Sequence, residues 1–168
     1  MIQYVENGTR MEEVTYEALT KLTYLQMCID ECLRLYPPGV RLDRLVERDS
    51  ILNGIPLVRG MQIIIPAFAL HRDPDFWPQP DHFDPNRFLP QNVAKRHPYT
   101  YIPFSQGPRN CIGMRLALLE IKLVMVHLLR RFKFVKSDRT EDPIKLKKST
   151  FFIQAENGVW VKVESRQM

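Results

Sequence analysis

The 168 residues contain no apolar run long enough to cross a bilayer as a helix. The most apolar stretch, Met61 to Leu70, is short and is broken by Pro66. The N-terminus lacks the basic, then apolar, then small-residue order of a signal peptide, so any membrane anchor is expected upstream of Met1. Cysteine is scarce, with three in all, and an odd number excludes a complete disulfide framework. A reducing compartment fits that usage. Cys28 and Cys32, four apart in an apolar helical pattern, are expected to be small buried side chains. No second Cys or His lies near enough to Cys111 in sequence to suggest a zinc site. Positive charge is present but not concentrated: the net charge is +5, and the short runs are Arg130-Arg131 and Lys145 to Lys148. A nucleic-acid groove needs a denser stripe, so no nucleic-acid partner is expected. Internal repeats and low-complexity tracts are also missing.

The composition that remains, 45% hydrophobic and 26% charged, is that of one cored globular domain. Thr23-Tyr-Leu-Gln26 reads as a capping box. Behind it Leu25, Ile29, Leu33 and Tyr36 recur at helical spacing, and Pro37-Pro38 ends the helix because neither can donate the next backbone bond. Residues 40–66 read as short strands, with a turn at Asn53-Gly54 and a β-branched run at Ile63-Ile64-Ile65. Seven prolines between Arg72 and Pro103 forbid long helices or central strands there, which leaves an ordered but irregular segment. An apolar helix is predicted from about Ile112 to Arg131, and its apolar residues cover more than one face, as in a core helix. The tail reads as strand, Asn157-Gly158 turn, strand, with Trp160, Val161 and Val163 available for packing.

The strongest chemical signal is Phe104-Ser-Gln-Gly107-Pro-Arg109-Asn-Cys111-Ile-Gly113. Gly107 permits a tight turn at positive φ. A helix beginning at Cys111 aims free N–H groups and its dipole at the sulfur, a setting suited to an anion. Gly113 removes a side chain where a flat ligand must come close. Phe104 shields the sulfur from water, and Arg109 neutralises a carboxylate. An isolated cysteine is otherwise an inert buried thiol. Those five residues coincide by chance on the order of once in several million positions, which decides against that reading.

The stretch resembles the haem-binding loop of cytochromes P-450, and the resemblance extends from about Tyr24 to the end of the chain. It implies a mainly α fold with small β-sheets, namely the C-terminal third of the family's fold. The expected parts are the Glu-x-x-Arg helix, Pro-rich meander, cysteine-ligand loop, long core helix and terminal β-hairpin, with residues 1–168 forming one partial domain. Cys111 would then be the axial iron ligand of haem b (iron protoporphyrin IX). Glu31-Cys-Leu-Arg34, ordinarily a surface pair worth a few tenths of a kcal/mol, looks like the family's helix pair. Its expected partner is Arg87, in Phe83-Asp-Pro85-Asn-Arg87-Phe88, and the three form a structural triad. Asn86 stands where the family often has Glu, a departure that bears on one secondary contact. Arg41-Leu-Asp-Arg44 resembles the strand that supplies a propionate arginine, a role that falls to Arg44 with Arg109 as second donor; the alternative for Arg44 is an ordinary edge-strand arginine. Arg41 is expected to face solvent or the substrate. His71, in Ala-Leu-His-Arg-Asp-Pro, fits the family pattern as a packed or hydrogen-bonded residue and not an iron ligand, while His82, His97 and His127 join no constellation.

The branch resembled is the animal one that oxidises lipophilic drugs, steroids and foreign compounds. Residues 38–42 and 149–152 align with its substrate-contacting stretches, and Thr150, Phe151 and Phe152 suggest an apolar lining. By resemblance the activity is insertion of one oxygen atom from O₂ into a lipophilic substrate. The electrons would come from NADPH through NADPH–cytochrome P-450 reductase, at the cytosolic face of the endoplasmic reticulum membrane. Lys95-Arg96-His97 is either a docking loop for that reductase or an exposed loop without a partner. The distal oxygen-binding helix has no counterpart in these residues, so the isolated chain is expected to bind haem poorly and not to turn over. The rival readings are a truncated, non-catalytic haem- or partner-binding fragment, and a cysteine-dependent enzyme, for which no catalytic His lies in a helpful motif.

Overall fold

A computed structural model describes residues 14–148 and 151–166; Thr150 lies outside them. The chain opens with α1 (Tyr16–Thr20) and α2 (Thr23–Leu35). Thr15 caps α1 by accepting from the Ala18 N–H at 3.3 Å. The expected capping box at Thr23 and Gln26 does not form. Thr23 is already helical, the cap position belongs to Leu22, and Gln26 instead donates from Nε2 to Asp30 Oδ1 at 3.1 Å. The α2 backbone ends at Leu35, before the two prolines, and Ile29, Leu33 and Leu35 are buried along its inner face. Cys28 is half-buried, but Cys32 is exposed and not the small buried side chain expected.

Next come β1 (Leu42–Leu45), β2 (Ser50–Leu52), β3 (Ile55–Leu57) and β4 (Gln62–Ile65). β1 pairs antiparallel with β4, Arg44 opposite Ile63, and encloses the β2–β3 hairpin. Asn53 at φ 48 and Gly54 at φ 81 turn that hairpin, as a two-residue loop between right-twisted strands requires. A short helix α3 (Ala67–Leu70) follows β4, and the Pro-rich segment beyond it holds only α4 (Pro90–Val93) and two 3-10 turns, Pro85–Phe88 and Pro98–Thr100. Side chains give it order. Trp77, 1% exposed, lies 6.1 Å from Phe88 and 6.3 Å from Tyr101, and the Arg96 guanidinium covers its ring at 4.1 Å.

Helix α5 (Met114–Arg131) follows the cysteine loop and runs directly into β5 (Phe132–Val135), which pairs with β6 (Lys162–Ser165). No residue of α5 is buried among the described residues. Only α1 and β5 pack against it to any extent here, so Leu116, Ile121, Leu123 and Val124 stay exposed. The turn at Asn157-Gly158 forms, with Gly158 at φ 76, but the strand after it takes β5 as its partner. The segment before that turn pairs with residues 145–147 through the Leu146–Ala155 bridge.

Candidate functional site

The cysteine loop is anchored at both ends by backbone. Ser105 N–H donates to the Ile102 carbonyl at 3.1 Å, and Cys111 N–H donates back to the Phe104 carbonyl at 2.8 Å, closing a ring over residues 104–111. Gly107 sits at φ 82 inside that ring, where a side chain would be strained. Cys111 is a free, exposed cysteine three residues ahead of the first helical residue of α5. A Cβ on Gly113 would lie 3.9 Å from the Cys111 Sγ, in ordinary contact beside the sulfur. Ile112 beside it is fully exposed, and Phe104 is half-buried behind the loop.

Two arginines stand near this loop. Arg44 donates from Nη2 to the Ser105 hydroxyl at 2.8 Å and from Nη1 to the Asp43 carbonyl at 2.9 Å. Arg109 is largely exposed, with Glu47 3.9 Å away, an ion pair of little energetic weight at that exposure. Arg41 lies 4.5 Å over the Phe151 ring and 3.3 Å from Asp43. The Val40 N–H donates to the Phe151 carbonyl at 2.9 Å, which sets residues 38–42 beside the segment that carries Phe151 and Phe152.

Behind the loop lies a buried ionic cluster. Glu31 and Arg34 are both 0% exposed. Arg34 grips the carboxylate with two parallel bonds of 2.8 Å, from Nε to Oε2 and from Nη2 to Oε1. The Asp84 N–H donates to Oε1 at 2.9 Å, and Arg87 Nε approaches the same oxygen at 3.4 Å, an ion-pair contact without hydrogen-bond alignment. The structure therefore brings Glu31, Arg34 and Arg87 together. Asn86 does not join them: its amide and side chain both bond Asp84 Oδ1, capping the turn locally. Removing one member of such a pair leaves a buried charge uncompensated, at a cost of about 3–5 kcal/mol.

His71 ties this cluster to the loop. Its carbonyl accepts from Arg34 Nη1 at 2.8 Å, and its Nε2 accepts from the Ile102 N–H at 2.9 Å, two residues before Phe104. The neutral ring thus carries its proton on Nδ1, buried beside the Leu33 and Arg34 backbone. Burial first, then the Arg34 and Arg72 cations, lower its pKa to about 4. Tyr101 stacks on His71 at 5.5 Å and donates its hydroxyl to Asp30; burial foremost, then Asp30, keeps that phenol protonated well beyond the usual range.

Ser105, Tyr101 and Trp77 were not singled out in the sequence. The signal for Ser105 was a polar residue beside a turn glycine, too common to separate. Arg96, read as part of an exposed basic loop, is instead half-buried: it stacks on Trp77 and Phe88 and donates to the Arg87 carbonyl. Its aliphatic stem and flat guanidinium match aromatic faces better than open water.

The donor set fits haem. Among the described residues no three His, Cys, Asp or Glu side chains gather to hold a metal ion. Iron bound at the exposed Cys111 thiol must then bring its other ligands with it, as a porphyrin does, and the arginines nearby suit acidic groups on such a ring.

The family model for cytochrome P-450 matches residues 2–162. Over 153 residues the chain is 43% identical to cytochrome P-450 3A25 of Mus musculus, covering 91% of this chain and 30% of that protein. It is 45% identical over 152 residues to cytochrome P-450 3A13 of the same species, covering 90% and 30%. It is 42% identical over 152 residues to cytochrome P-450 3A19 of Capra hircus aegagrus, covering 90% and 69%. The chain spans about 30% of the length of the two mouse relatives. With a loop built around one accessible sulfur and a family match over nearly all its length, this chain belongs to the cytochrome P-450 family, whose cofactor is haem b.

Proposed function

We propose that this chain forms the haem-holding part of a monooxygenase acting on lipophilic organic substrates. The observation that carries the reading is Cys111, an exposed thiol at the mouth of a closed backbone ring. Bound through a thiolate, haem b supplies O₂ binding and transfer of one oxygen atom, with electrons from NADPH delivered by cytochrome P-450 reductase. Cys111 Sγ would hold the haem iron, Phe104 would limit water at the sulfur, and Arg44 and Arg109 would pair with acidic groups of the ring. Glu31, Arg34 and Arg87 hold the irregular segment so that the loop keeps its shape; they touch no reacting atom. Phe151, Phe152 and Val40 line the substrate side. The complete protein works at the cytosolic face of the endoplasmic reticulum membrane; no helix among the described residues is long and apolar enough to cross a membrane.

The test is the absorption spectrum of the reduced, CO-bound complete protein. Native protein is expected to show the thiolate-ligated band, and Cys111→Ser to lose it while still folding. Haem uptake with the same spectrum in both proteins would overturn the assignment.

A further inference from the structure

Ser105 holds a backbone conformation that its residue type disfavours, with φ at 64, directly after Phe104 in the cysteine loop. Side chains other than glycine meet steric resistance there. Glycine would adopt that conformation freely, and the same loop already uses it at Gly107. The serine hydroxyl is engaged: it accepts from Arg44 Nη2 at 2.8 Å across 61 residues of sequence. Arg44 Nη1 is held by the Asp43 carbonyl at 2.9 Å, so both terminal nitrogens of the guanidinium are fixed. Both side chains are half-buried and face a cavity of about 430 Å³ lined also by Leu42, Ile65 and Ile102.

We infer that Ser105 is a positioning residue that pre-orients Arg44 for an acidic group of the haem. The inference deepens the reading of this loop as a haem anchor and rests on it. A free arginine loses much rotamer freedom when it grips a carboxylate, and an arginine already fixed at two nitrogens loses less. The guanidinium keeps donors to spare after bonding Ser105 and Asp43. Backbone strain at Ser105 is thus offset by a more slowly released cofactor.

The prediction separates fold from cofactor. In the complete, haem-loaded protein, Ser105→Gly removes both the strain and the hydroxyl. It is expected to raise the haem-free unfolding temperature by about 1–2 °C. The same variant should speed haem transfer to an acceptor globin roughly threefold to tenfold. Ser105→Ala should speed transfer equally without the thermal gain. Ser105→Asn keeps an acceptor oxygen and tolerates the left-handed backbone, so it should restore slow transfer. On an Arg44→Ala background, Ser105→Ala should add nothing further. Native transfer rates in Ser105→Ala, or full additivity with Arg44→Ala, would overturn this inference while the Cys111-dependent CO band still stands. A protein that takes up no haem would overturn both readings.

Discussion

At the scale of single residues, His71 does the work of a connector. One ring nitrogen and one carbonyl join Arg34, in the buried ionic cluster, to Ile102, at the root of the cysteine loop. Protonating the ring places a hydrogen on Nε2, where the Ile102 N–H already points, and the bond is lost. The folded pKa of about 4 lies below the ordinary value of 6.5, so between those limits the unfolded chain binds more protons. Stability from this group is fully present above about pH 6.5, falls as pH drops, and is gone once pH passes below about 4. The loss amounts to roughly 3 kcal/mol in all. Urea midpoints measured from pH 7 to pH 4 should fall more steeply for native protein than for His71→Gln. Parallel curves would show that the imidazole is not the titrating group. The family resemblance implied a packed or hydrogen-bonded His71; its two partners depended on where residues 34 and 102 arrive in space.

At the scale of elements, the Pro-rich segment shows how a chain without regular backbone bonds keeps a fixed shape. Its prolines cannot donate, so aromatic stacking and arginine side chains replace a ladder. Arg96 is part of that packing, whereas Lys95 beside it is exposed. The two basic neighbours should therefore respond differently to charge reversal. Arg96→Glu is expected to lower stability by about 1–3 kcal/mol, since it removes a stacked cation and leaves the Arg87 carbonyl without its donor. Lys95→Glu should leave the denaturation midpoint unchanged; under the proposed function, with this loop as the docking site, it should also slow electron transfer from the reductase and flatten its salt dependence. Equal denaturation curves for the two variants would contradict the packed position of Arg96, and unchanged kinetics in Lys95→Glu would remove the docking role.

At the scale of the whole molecule, α5 is the anomaly. Its sequence has the apolar content of a core helix, but the described residues cover it only partly, and Ile112 and Leu116 near the proposed haem site are bare. Contiguous apolar surface of that kind drives association. The isolated 168 residues are expected to self-associate at micromolar concentration in sedimentation velocity and to hold haem weakly. A monodisperse monomer that retains stoichiometric haem would refute this.

The local parts of this protein were set by its own sequence. Pro37-Pro38 stops α2, Asn53-Gly54 turns the hairpin, seven prolines keep long helices out of the meander, and the spacing from Phe104 to Gly113 marks the sulfur. Each is a short-range steric or hydrogen-bonding rule that needs no distant partner. Tertiary structure decided the rest. It determined that Gln26 bonds Asp30 and caps nothing, that β6 seeks β5, that Arg96 turns inward, and that Ser105 meets Arg44. Those outcomes depend on contacts between residues far apart in the chain, where several partners of similar chemistry compete and packing alone selects one.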